Sequence, residues 1–206
     1  MTRKNTENRG SRIPKRRIDV TEITDKLKLR IAGAFEKHFR HFGFKKTTVD
    51  DVAADLGVSK KTIYTHFKSK DEIFYFIISR KAEARKEIIE DQIMHIDSAM
   101  GKMEEMIRIN FSEFRKVHKR KIKAMDEHFQ SEIAAGAFRQ AFKQLVSNII
   151  EEGVKKGEFE VSDHDMTVRF TQALITEAIH TIREDNSLQP EDVLVASVNR
   201  LLQKTT

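Results

Sequence analysis

The 206-residue chain has no cysteine and no tryptophan, and only two prolines, two tyrosines and eight glycines. Without cysteine there is no disulfide framework, no thiol nucleophile and no thiolate metal site. Scarce proline and glycine leave few forced breaks, which favours long helices. No apolar run approaches the roughly 20 residues that span a bilayer, and "MTRKNTENRGSRIPKRRIDV" lacks the apolar stretch of a secretory signal. A cytoplasmic chain without a membrane partner is expected. Enzyme signatures are missing as well: no G-x-S-x-G elbow, no phosphate-cradling glycine loop and no H-E-x-x-H. The nearest metal-like cluster, "DHD" at 163–165, has adjacent side chains diverging at a helix start, so Asp163 reads as a cap. No catalytic residue, metal or cofactor is expected.

What the chain has is charge, unevenly placed. Residues 1–70 carry 18 Lys and Arg against 8 acids, and residues 71–206 carry 20 against 24. A basic front on a mildly acidic remainder fits either a polyanion partner for the front or a solvated, lysine-rich surface. Residues 1–20 are polar and contain Gly10 and Pro14, the composition of a flexible arm. It either adds minor-groove or phosphate contacts or serves as a solubilising tail.

Helical periodicity dominates the rest. Ile23, Leu27, Ile31, Phe35, Phe39 and Phe42 make one face of a helix over Thr21–Phe42, closed by Gly43. Thr47 or Thr48 caps a second helix, which buries Val49, Val52, Ala53 and Leu56 and stops at Gly57. Ser59 caps a short third helix with Ile63 and Phe67 on one face. Ser69 and Glu72 have capping-box spacing and open a fourth helix, whose Ile73, Phe74, Ile77 and Ile78 face inward. Further helices are expected near 98–118, 121–134, 137–156, 164–184 and 190–203, with breaks at Gly136, "KKGEFEVSDHD" and "EDNSLQP". Pro190 suits the first position of the last one.

Two helices joined by a tight glycine turn, the second short and polar outside, form a helix-turn-helix. Ile63 and Phe67 would pin the second helix, leaving Lys60, Lys61, Thr62 and Tyr64 as base-reading candidates. Lys45, Thr47, Thr48, Ser59, His66 and Lys70 surround them as phosphate-contact candidates.

The segment "IAGAFEKHFRHFGFKKTTVDDVAADLGVSKKTIYTHFKSKDEIF" resembles the DNA-binding region of the TetR family of bacterial transcriptional regulators, from Ile31 to about Phe76. The resemblance implies that Thr47 and Thr48 cap the second helix, that Tyr64 and His66 touch the DNA backbone, and that Lys70 holds a phosphate. Phe35 departs from the family pattern, which usually has alanine there, and His38 stands at a usually apolar place. Both departures concern packing of the first helix. The resemblance further implies an all-helical C-terminal domain that forms a homodimer and often binds a small molecule.

The residues support part of this. Over 164–184, Met166, Phe170 and Leu174 form one apolar stripe and Val168, Ile175, Ile179 and Ile182 another; the last helix is also apolar on two sides. Such helices are buried or lie in an interface, and Phe170, Leu174, Ile182, Leu194, Val198 and Leu201 are the candidate homodimer contacts. Met103, Phe111, Phe114, His118, Met125, Phe129 and Phe142 are candidates for an adaptable pocket. Ordinary core packing is the competing role for those residues.

The expected architecture is all-α, with about nine helices. It comprises a basic arm (1–20), a three-helix helix-turn-helix DNA-binding domain (21–70), and a larger helical regulatory and dimerisation domain (71–206). The expected function is sequence-specific DNA binding at a near-palindromic operator, as a homodimeric repressor controlled by a small apolar or amphipathic effector. The alternative keeps the DNA binding but assigns control to a protein partner.

Overall fold

A computed structural model describes residues 20–119, 127–185 and 187–203, the side chains of 20–25, 117–119 and 127–131 excepted. The arm expected over 1–20 lies outside the described residues apart from Val20. Eight helices and no strand occur among the described residues: α1 (Val20–Phe42), α2 (Val49–Leu56), α3 (Lys60–Tyr64), α4 (Lys70–Ile93), α5 (Ala99–Lys119), α6 (Glu127–Lys156), α7 (His164–Glu184) and α8 (Glu191–Leu202). The break expected at Gly136 does not occur, because α6 runs through it. A glycine inside a helix costs only about 1 kcal/mol relative to alanine, too little to interrupt 30 residues. Pro190 is the N-cap of α8 and not its first helical residue.

Two apolar cores share α4. The N-terminal core gathers Ile31, Phe35, Val52, Ala53, Ile63 and Phe67 with Ile73 and Ile77 of α4. The larger core gathers Ala82, Ile89 and Ile93 of α4 with Met103, Ile107, Phe111, Val146, Ile150, Val168, Ile182, Leu194 and Val198. The boundary expected after residue 70 is therefore a helix start, while the packing changes partner farther along α4. Ion pairs grip α4 from both sides one turn apart. Lys81 Nζ meets Glu36 Oε1 of α1 at 2.8 Å, and Arg85 reaches Ile109 O (3.3 Å) and Glu113 (3.4 Å) of α5. Glu36 is half-buried, which opposes its ionisation, but Lys81 and Arg40 outweigh this and hold its carboxyl below the usual range.

Phe35 is fully buried and its ring lies 5.5 Å from that of Phe39. The large side chain at this position is core. Phe42, expected on the same face, is 51% exposed. The chain leaves the helix there through Gly43 (φ 83°), and Phe44 takes the inner place against Phe39 and Phe74, at ring separations of 5.1 and 5.5 Å.

The α6–α7 connection fixes the start of α5 from a distance. Glu158, which follows left-handed Gly157 (φ 73°), accepts from Ser98 Oγ (2.8 Å), Ala99 N (3.0 Å) and Met100 N (3.2 Å). It thus occupies the donors that a helix start leaves free. Asp163 caps α7 by accepting from Met166 N at 2.9 Å. That confirms the capping role read for it, and no group of three or more potential metal ligands occurs among the described residues.

The two stripes of α7 separate cleanly. Val168 and Ile182 are buried in the chain's own core, with Ile175 and Ile179 packed against it, while Met166, Phe170 and Leu174 are exposed by 38%, 50% and 36%. Ile182, Leu194 and Val198 were expected at a subunit interface and instead fill the monomer's interior. Periodicity located both apolar sides without saying which one faced inward.

Candidate nucleic-acid interface

The turn is built from local backbone chemistry. Thr48 caps α2 by accepting from Asp51 N (3.1 Å), and its own hydroxyl donates to Asp51 Oδ2 (2.5 Å). At the other end Gly57 takes φ 65°, ψ 33°. Its N–H donates to Ala54 O and that of Val58 to Ala53 O, the paired bonds of a Schellman stop. Two residues later Ser59 accepts from Thr62 N (3.0 Å) and starts α3. Thr65 Oγ1 donates back to Thr62 O (2.7 Å) where the helix ends. Only Ile63 on α3 is buried, and Phe67 just beyond it is 1% exposed. One apolar spike per turn holds this helix down, so its outer face is left to polar groups.

That face carries Lys60, Lys61 and Tyr64, all exposed, with Thr62 half-buried between them. Tyr64 is 45% exposed. Lys45 and Lys46 in the loop before α2 and Lys68 in the segment after α3 are also exposed, and His66 is half-buried. The structure also places Lys28 of α1 over the rings of Phe67 (5.2 Å) and Phe76 (4.9 Å). This cation–π contact joins α1 to the segment after α3, and no sequence signal pointed to it.

Two expected contact residues turn inward. Thr47 is 1% exposed, with its Oγ1 donating to Gly43 O at 2.9 Å. It does not cap α2; Thr48 alone does, and Thr47 closes the α1–α2 loop from inside. Lys70 Nζ donates to Phe44 O (2.8 Å) and Thr47 O (3.2 Å) and sits 4.2 Å from the centre of the Phe44 ring. Burial lowers its ammonium below the usual lysine range. Lys70 therefore ties the start of α4 to the loop before α2. Next to it, Ser69 accepts from Glu72 N (3.1 Å) while Glu72 accepts from Lys68 N (2.5 Å), a capping box whose return bond lands one residue early.

The C-terminal candidates divide too. Met103, Phe111 and Phe142 are buried in the larger core, and Phe114 is half-buried against it. Met125 lies outside the described residues, as do the side chains of His118 and Phe129. The hollows bounded by Gly33, His38, Phe42 and Asp55, and by Asn148, Glu151 and Lys155, lie elsewhere. Of the expected subunit contacts, Phe170 and Leu174 are exposed and Leu201 half-buried.

Comparison with known proteins agrees with this arrangement. The family model for bacterial regulatory proteins of the tetR family matches residues 33–75, which span the end of α1 to the start of α4. The HTH-type transcriptional regulator YhgD of Bacillus subtilis (strain 168) is 33% identical over 152 residues, 69% of this chain and 76% of that protein. The fatty acid metabolism regulator protein of the same organism is 25% identical over 137 residues, 65% and 69% of the two. RolR in complex with resorcinol shares the fold at TM-score 0.70 and 12% identity, over 90% of this chain and 91% of that one. FadR from Bacillus subtilis in complex with stearoyl-CoA does so at TM-score 0.57 and 20% identity, over 86% and 99%. Helix-turn-helix geometry, basic rim and relatives converge on a DNA-binding regulator and not an enzyme: the chain belongs to the TetR family of bacterial transcriptional regulators.

Proposed function

We propose that the protein is a homodimeric repressor, acting in the cytoplasm, whose two α3 helices enter successive major grooves of a near-palindromic operator, about one helical turn apart. The observation that carries this is the outer face of α3, where Lys60, Lys61 and Tyr64 stand exposed above a single buried anchor, Ile63. Lys61 and Tyr64, with Thr62, read base edges. Lys45, Lys68, His66, the backbone N–H of Thr48, the hydroxyl of Ser59 and the third N–H of Lys70 serve the phosphates. Thr47 supports the loop and makes no contact. The dimer forms on the exposed stripe of Met166, Phe170 and Leu174, joined by Val193 and Leu201 of α8, as a closed two-fold contact.

Control runs through α4. A small apolar or amphipathic effector in the larger core favours a dimer whose reading helices are mis-spaced for the operator. The sharing of α4 between the two cores supports this, as do the grips at Lys81 and Arg85. The ligands named for similar proteins, resorcinol and stearoyl-CoA, are of the expected character.

Selection of bound duplexes from a random pool tests the DNA reading; a palindromic consensus is expected, and enrichment of no motif would overturn it. A thermal-shift screen with phenols and acyl thioesters tests control, because a ligand of the native state raises its apparent stability. Intact operator binding with no shift from any compound would move control to a protein partner.

A further inference from the structure

Of the two lysines on α3, Lys60 has a carboxylate partner among the described residues. Its Nζ lies 2.8 Å from Asp50 Oδ2, across the turn from α3 to the first turn of α2. Lys61 has no such bond among the described residues. Both members of the pair are exposed, at 50% and 65% of their side-chain surface, so the pair faces the same solvent that DNA would displace. Asp50 also favours the charged form of Lys60, whose pKa is raised chiefly by that hydrogen bond.

Resting on the assignment of α3 as the reading helix, we infer that Asp50 is a specificity-determining residue, holding the Lys60 ammonium against the first turn of α2 and so withholding its charge from indiscriminate phosphate contact. A lysine on a flexible stem is a mobile point charge that any phosphate can attract, and phosphate contacts supply binding without sequence information. Anchored by a carboxylate, Lys60 keeps two N–H donors in a fixed place beside the base edges and contributes little to indiscriminate binding. The carboxylate adds a second effect of the same sign. Its negative charge lies against Lys60, so a phosphate drawn toward that lysine by poorly docked DNA meets repulsion, while an aligned operator meets a donor and an acceptor side by side. An exposed pair adds little stability, so the consequence of Asp50 falls on discrimination and not on folding.

The experiment uses the full chain and two duplexes, the selected operator and a random-sequence control, titrated between 50 and 200 mM salt. Asp50→Asn should tighten binding to the random duplex and leave the operator nearly unchanged, so the specificity ratio falls. The log–log salt slope on the random duplex should steepen by about 0.9, the value for one added phosphate contact, equivalent to about 3- to 4-fold greater loss over that salt range. In a Lys60→Met background the same substitution should move the slope by less than half as much. An equal slope change with and without Lys60 would overturn the inference, since Asp50 would then act only as a repulsive charge. So would no change on either duplex, or equal weakening on both with a lowered melting temperature. Lys61→Ala separates this from the underlying reading. Altered operator preference there with an inert Asp50→Asn rejects the role of Asp50 alone, whereas an inert Lys61→Ala rejects α3 as the reader.

Discussion

Replacing Gly153 by alanine tests the packing of the larger core through one added methyl group. An ideal Cβ at Gly153 would stand 2.0 Å from Phe159 Cδ2, 2.3 Å from Cε2 and 2.7 Å from Cγ. Because one edge of the ring lies at these distances, rotation within its seat relieves little and the whole ring must shift. Phe159 is 6% exposed, and its backbone N–H is bonded to Gly153 O at 3.2 Å, so backbone and ring are held against the same residue. Overpacking of this kind costs about 1–3 kcal/mol. Against it, alanine inside a helix gains about 1 kcal/mol over glycine. The expected net effect is a loss of up to about 2 kcal/mol, read by urea unfolding at fixed protein concentration. In a Phe159→Ala background the obstacle is gone, and the same substitution should stabilise by up to about 1 kcal/mol. The sign change between backgrounds is the diagnostic feature. A stabilising Gly153→Ala in the natural background, or equal effects in both, would refute the seat that the structure gives Phe159.

Glu158→Gln should cost about 0.5–1 kcal/mol at neutral pH, the range of a helix cap reduced by exposure. The native carboxyl titrates below its ordinary value of 4.5, held there first by the Ala99 N–H, so its contribution is present above pH 4.5 and disappears as pH falls through the lower native value. The gap between variant and parent in urea midpoints should therefore close under acid, and a constant gap would count against the charged cap. Phe170→Glu should give a folded monomer in sedimentation at micromolar concentration. Ile182→Ala should instead cost about 2–5 kcal/mol in unfolding as a core truncation, and a folded dimer from the first would exclude the proposed stripe. Lys70→Met should weaken binding to every duplex and reduce the salt slope by about 0.9 if its third N–H meets a phosphate. It should also speed amide exchange at Thr47 by releasing the loop carbonyls.

The parts legible in the sequence are those governed by neighbours a few residues apart. Gly57, Ser59 and Ser69 each announce a turn or cap through local hydrogen bonding, and the structure gives each that role. The choice between Thr47 and Thr48 was not legible, because one residue of register decides which hydroxyl meets Asp51 N. Gly136 misled, since a backbone preference of about 1 kcal/mol yields to the packing of a long helix. The inward turn of Lys70, the place of Lys28 over two rings and the capping of α5 by Glu158, 59 residues from Ala99, all require chain segments already folded together. For the same reason Phe170 and Ile182 look alike as apolar residues on one helix and differ completely in surroundings.

Helix α4 also bears on how such a regulator can be recombined with others. Ile73 and Ile77 belong to one core and Ala82, Ile89 and Ile93 to the other, with no linker between them. A hybrid protein joined at residue 70 would strip two isoleucines from beneath the reading helix and replace them with whatever the donor supplies. The crossover that respects both interiors falls within residues 78–81, about one helical turn. Even there it must carry Lys81 with its Glu36 or exchange both. New sensing functions grafted onto this DNA-binding head therefore have to agree on a helical phase, since a shift of one residue would rotate the donor domain by about 100° around α4.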